Sequence, residues 1–264
     1  QQLRQGDAAQ ARMILETHAA SEKADIRLRM LASLSTNLSV DDSEYLNRLT
    51  KDRSKKIQQF VQQLLARLGE SNDEVGQKAA VALAEGLKVS SGVLKRKQTI
   101  APIIAPAKLK NATQRRHRLQ HFSEASLLPL LAALQVDAEL FIDGWQIGHE
   151  DEDIALLLLL VRSANDEQLL RFLLRWVSET DQYGWGYQLF DNDLLSRLPA
   201  EQRGVCVNKA LEAGKGFDRP SQCLEFMLQP VASLTWSTLR SSALWKLLLE
   251  EIALSGAGLG TFTI

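Results

Sequence analysis

In the stretch TKDRSKKIQQFVQQLLARL, residues 50–68, apolar side chains fall at Ile57, Phe60, Val61, Leu64, Leu65 and Leu68. This is the i, i+3, i+4, i+7 spacing of a helix with one buried face, and it recurs along the whole chain. AAQARMILETHAA (8–20) sets Ala11, Ile14, Leu15 and His18 on such a face, and KADIRLRMLASLST (23–36) does so with Ile26, Met30, Leu31 and Leu34. Ser39 opens a shorter helix running to about Thr50. Its hydroxyl suits an orphan amide, and Asp41 and Asp42 suit the positive helix end. The helix over 54–68 stops at Gly69. Another, over 71–87, begins at Asn72 or Asp73 and ends near Gly86. Downstream the spacing predicts helices over 123–134, 150–163, 166–180, 190–197, 199–213, 219–229 and 235–254. Alternating β-branched runs, the mark of strands, are missing. Short polar loops between amphipathic helices make antiparallel neighbours. The expected fold is therefore all-α, an α-solenoid of antiparallel helix pairs interrupted by a long basic loop, with a compact irregular bundle as the alternative.

With 264 residues, 45% hydrophobic and 24% charged, the chain has the composition of a folded globular protein. It can bury roughly three quarters of its unfolded surface without a disulfide or a metal. Cys206 and Cys223 sit in separate apolar segments, which fits a reducing cytoplasm. The longest apolar run, IALLLLLV (154–161), has eight residues. A membrane span needs roughly 20, so the run reads as a fully buried core helix and no membrane partner is expected. No basic N-terminus followed by an apolar run marks a signal peptide. The chain starts at QQLRQGDAAQ, without an initiator Met and directly in a helix, which reads as a fragment or a processed form. The expected division is 1–87 and 122–254 as helical blocks, 88–121 as the basic loop between them, and 255–264 as a flexible tail.

Charge is unevenly spread. Residues 1–122 hold 21 Lys+Arg against 12 Asp+Glu, and residues 123–264 hold 10 against 20. Two halves of opposite sign either meet different partners or face each other. Lys88 to His121 contains nine Lys+Arg and no acid, and Pro102 and Pro106 bar a continuous helix there. Lys95, Arg96, Lys97, Lys108, Lys110, Arg115, Arg116 and Arg118 could neutralise a nucleic-acid backbone. No aromatic residue is interleaved to stack on bases. If the strip is ordered instead, its cations should pair with carboxylates of the second half, such as those of Glu150 to Asp153. If it is loose, trypsin should cut first at Lys95–Lys97 or Arg115–Arg118.

Chemistry-bearing motifs are scarce. His117 and His121 have a zinc-like spacing, but arginines surround them and the glutamate of a metalloprotease is missing. HEDED (149–153) lacks the alternation and glycine of a calcium loop. Glu150, Asp151, Glu152 and Asp153 suit a helix N-terminus, or a docking surface for a basic partner. GAGLGT (256–261) follows a helix rather than a strand, so it is no dinucleotide loop. In DQYGWGYQLF (181–190), Tyr183, Trp185 and Tyr187 stand among glycines and could anchor a partner helix or peptide. No cofactor motif and no catalytic group can be assembled.

Asp52, Ile57, Val61, Leu65 and Leu68 resemble the second helix of a HEAT repeat, and Val75, Ala79 and Leu83 repeat the pattern, with Gln58 and Gly76 where such repeats usually carry Arg. More specifically, residues 24–68 resemble the bacterial family DUF5691. Its pattern of a leucine-rich helix, LS-x-x-D-x-x-(Y/F)-L, L-x-x-DRS-x-x-(V/I) and LLARL is matched by Leu38, Ser39, Asp42, Tyr45, Leu46, Asp52, Arg53, Ser54 and Ile57. LTWSTLRSSALWKLL (234–248) resembles that family's C-terminal WS-x-x-L helix. The family has no established activity, so the resemblance implies a fold and a bacterial cytoplasm. Its members often accompany AAA-type ATPases and von Willebrand A-type proteins, which implies a scaffold or adaptor. The expectation is a non-enzymatic helical-repeat scaffold binding a protein partner. Its rival is a HEAT-like nucleic-acid binder or a DNA-repair glycosylase, with Trp145 and Asp143, or Trp176 and Glu179, near the lesion.

Overall fold

A computed structural model describes residues 2–70, 74–90, 103–109 and 111–179, with isolated positions beyond 197. By compactness the chain divides into two units, residues 1–172 and 173–264. The elements below belong to the first unit, apart from the end of the last helix. Helices α1 (Gln2–Gly6), α2 (Ala8–His18) and α3 (Ala24–Leu31) lead through 3₁₀ turns to α4 (Ser43–Leu49), α5 (Lys55–Arg67) and α6 (Glu74–Glu85). Strands β1 (Leu87–Ser90) and β2 (Ile103–Pro106) follow. Then come α7 (Ala112–Glu124), α8 (Leu127–Leu134), α9 (Ala138–Gly144), α10 (Glu150–Ser163) and α11 (Asp166–Glu179). The protein is mostly helical, with one small antiparallel hairpin among the described residues.

The first core uses only part of the faces that the periodicity marked, for Ile14, His18, Ile26 and Val75 are exposed. Leu15, Leu31, Leu34, Tyr45, Leu46, Ile57, Val61, Leu64 and Leu65 make one buried cluster. α5 buries its apolar stripe against α4 and α3. It ends at Gly69, whose φ of +83° only glycine adopts without strain. Gly69 N–H donates to the Ala66 carbonyl at 3.1 Å and Glu70 N–H to that of Leu65 at 2.8 Å, the paired bonds of a Schellman stop.

α10 organises the rest. It packs on α5, α7 and α8, and so joins residues on both sides of the basic strip. Leu156, Leu157, Leu159 and Leu160 are buried, as a helix covered on several sides requires. Leu158 is 40% exposed, so the run expected to be wholly internal keeps one face outward. Ser163 ties two helices together: its hydroxyl donates to the Leu159 carbonyl at 2.9 Å and accepts Leu127 N–H at 3.0 Å, at the start of α8. In a simple solenoid each pair of helices rests on the next in sequence. The packing of α10 on α5 joins helices far apart in the chain.

The segment read as one loop over 88–121 holds β1, β2 and most of α7 within its described part. Leu87 pairs with Pro106 and Val89 with Ile104. Pro106 ends the hairpin, where a missing N–H does least harm. Buried Ile104 accepts Gln146 N–H at 2.8 Å, which moors β2 beside α9. Residues 91–102 and Lys110 lie outside the described residues, as do most of the helices expected beyond 180 and the tail at 255–264.

Candidate functional site: a glutamine-lined groove

The two carboxylates of the 24–68 pattern, Asp42 and Asp52, are engaged in holding the fold. Asp42 is fully buried and accepts hydrogen bonds from Arg4, from Arg12 at 2.8 Å and from Ser39 N–H at 3.0 Å. Burial alone would raise its pKa; the bonds from Arg4, Ser39 and Arg12 outweigh that and hold the carboxyl below its ordinary value. Arg4 also donates to the carbonyls of Thr36, Ala8 and Asn37, so its side chain fastens α1 to the turn before α4. Asp52 takes Arg27 at 2.9 Å and Ser54 N–H at 2.8 Å, which shapes the entry to α5. Such residues position a backbone and leave no carboxylate for chemistry.

The acidic run and the basic strip meet in the same way. Arg115 pairs with Asp151 at 2.6 Å, and Arg118 with Glu152 at 3.3 Å. Arg118 is buried and also donates to the Ala107 carbonyl at 2.5 Å; burial lowers its pKa, and Glu152 opposes the shift. Asp153 is fully buried and accepts the Trp145 indole N–H at 2.7 Å, Gly148 N–H at 2.8 Å and His149 N–H at 2.9 Å. Burial still pushes its pKa up. Glu150 opens α10, Arg116 is exposed on α7, and Lys108 is exposed beside a groove of about 490 Å³ that His117 and His121 also line. Among the described residues no three His, Cys, Asp or Glu side chains are grouped to hold a metal ion. Lys95, Arg96, Lys97, Lys110, Tyr183, Trp185 and Tyr187 lie outside the described residues.

The residues of a glycosylase reading are separately engaged. Trp145 is buried against Phe122 and Phe141, with ring centroids 6.1 and 6.0 Å away, while Asp143 binds Arg171 at 2.5 Å. Trp176 is buried, and Glu179 pairs with Arg175 at 2.7 Å. The Cys206 thiol is buried and pushed up to about 12, so it is no nucleophile at neutral pH.

An open groove of about 510 Å³ lies within the first unit. Gln58, Gln59, Gln62 and Gln63 of α5 line it, together with the α7–α8 junction at 123–126 and Arg162 and Ser163 at the end of α10. Two of its side chains bear on what it can bind. Gln62 Oε1 is buried with no hydrogen-bond partner. Among the described residues Arg162 donates only to backbone, to the Phe122 carbonyl at 2.6 Å and the Leu158 carbonyl at 3.2 Å. Eight arginines among the described residues are buried or half-buried, and every one except Arg162 has a carboxylate oxygen within 3.3 Å. Burial lowers the Arg162 pKa with no carboxylate to oppose it. A half-buried cation with no carboxylate partner offers a place where an anionic group from outside the chain can bind. Sequence reasoning missed the groove. Its one signal was the doubled Gln-Gln at helical spacing on α5, where Lys and Glu usually fill an exposed face.

Fold and groove define a mostly helical protein with an open, glutamine-lined cleft held between packed helices. The chain belongs to DUF5691, a family of unknown function, whose match covers residues 1–257 and so extends well past the 24–68 pattern. No curated protein and no solved structure matches the chain. No helix among the described residues is long and apolar enough to cross a membrane.

Proposed function

We propose that this chain is a non-enzymatic helical-repeat scaffold that binds a protein partner in the groove between α5 and α10. The observation that carries the reading is the lining itself. Four glutamines on successive turns of one helix offer both donors and acceptors, which matches the main chain of a peptide. Gln58 already donates to the Asp52 carbonyl at 2.6 Å, so that part of the lining is ordered before binding. The α4–α5 pair, with Asp52 at the entry to α5, serves as a HEAT-like unit, and α10 stands across it as a departure from a plain solenoid. The family resemblance supplies the setting: an AAA-type ATPase or a von Willebrand A-type protein in the bacterial cytoplasm.

The test is crosslinked recovery from native extract with the wild-type chain and with a Gln59→Glu, Gln63→Glu variant, whose altered positions are both exposed. A partner captured by the first and lost from the second is the expected result. Equal capture by both would overturn the groove as the binding surface. Turnover of a substrate by the purified chain would overturn the non-enzymatic reading.

A further inference from the structure

The charges around the groove narrow what can occupy it. Arg162 directs two of its five N–H donors to carbonyls, leaving three for a ligand. One turn before the glutamines on α5, Lys55 shares a helical stripe with Gln58, Gln59 and Gln62, and Lys56 shares one with Gln59 and Gln63. Both lysines are exposed, as are Lys51 and Arg53 just before them, and none of the four has an ion pair among the described residues. The first turn of α5 holds no acid. Cations there oppose the helix dipole and weaken the helix unless an anion arrives. The groove's one carboxylate, Glu124, accepts the Gln120 amide at 2.9 Å. The groove is therefore lined by amides and by Arg162, and the helix that carries the amides begins with lysines that have no ion pair among the described residues.

We propose that it takes an extended acidic segment of a partner protein. One carboxylate side chain pairs with the Arg162 guanidinium, others pair with Lys55 and Lys56, and the glutamine amides hold the segment's main chain. Planar guanidinium–carboxylate pairing is directional and stays strong where water is partly excluded. This rests on the groove being the partner site, and it adds the partner's chemistry.

The experiment is selection from a random displayed peptide library on the intact chain. Titration of the enriched peptides and of their Glu→Gln counterparts follows. Acidic peptides should be enriched, and their affinity should fall roughly tenfold or more on amidation and in Arg162→Gln. Arg162 also supports backbone, so Lys55→Gln, Lys56→Gln is the variant that leaves the core untouched, and a clear fall is expected there too. Neutral peptides bound through the glutamines, indifferent to Arg162→Gln and to the lysine variant, would overturn the acidic-ligand proposal and keep the groove reading. Enrichment of nothing, or of peptides unaffected by Gln59→Glu, Gln63→Glu, would overturn both. Tight duplex DNA binding lost in the lysine variant would also overturn the proposal.

Discussion

Asp42→Ala would leave Arg4, only 1% exposed, as an unpaired charge inside the fold. Removing one partner of a buried pair costs about 3–5 kcal/mol, and the urea midpoint should fall accordingly. The same carboxylate sets a pH dependence. Its folded pKa lies below the ordinary 3.8, so its contribution is complete above that value. It is lost as the pH falls through the lower folded value. Asp42→Asn should abolish that part of the acid transition. Asp153 has the opposite sign: its pKa is raised by burial, so its ionised form is a liability at neutral pH that eases as the pH falls toward the ordinary value. Asp153→Asn, which keeps an acceptor for the Trp145 indole, should be milder than Asp42→Asn in the same assay. The Ser39–Asp42 contact was legible because it spans three positions. The Arg4 and Arg12 contacts were not, since they span 38 and 30 positions and no local pattern records them.

Among the elements, α5 and α10 were legible and α7 was not. α10 was expected over 150–163 and occupies Glu150–Ser163, because an apolar run behind four acids has both a core face and a start signal. α7, ATQRRHRLQHFSE, has no continuous apolar stripe and buries only Arg118 and Phe122. It is held by Asn111 capping Gln114 N–H at 3.0 Å and by the two ion pairs to α10. Those partners are invisible to a periodicity argument. A consequence follows for proteolysis: trypsin should spare Arg118, which is buried in a helix, under conditions that cleave exposed sites. Early cleavage at Arg118, read by mass spectrometry of the fragments, would contradict the packing of α7. Leu160→Ala should cost about 2–5 kcal/mol in thermal or urea unfolding, since the side chain is fully buried on the helix that α5, α7 and α8 share.

For the whole molecule, the all-helical class was legible because nearly every segment has a 3.6-residue period. The order in which helices touch was not, since periodicity identifies a buried face without naming what buries it. The charge asymmetry was also visible, and part of it is internal: Arg115 and Arg118 meet Asp151 and Glu152. Duplex DNA titrated across a salt series should therefore show a shallow slope from these two residues, where free arginines would each release a counterion. A steep slope lost in Arg115→Gln would show that this pair opens to bind phosphate.

The position of α10 also bears on how the chain is made. Emerging from the ribosome N-terminus first, α5, α7 and α8 are all complete before the helix that packs on them exists. Nascent chains stopped short of residue 150 should bind chaperones and aggregate, and those reaching past Ser163 should become protease-resistant. Assembly is thus timed by one late segment.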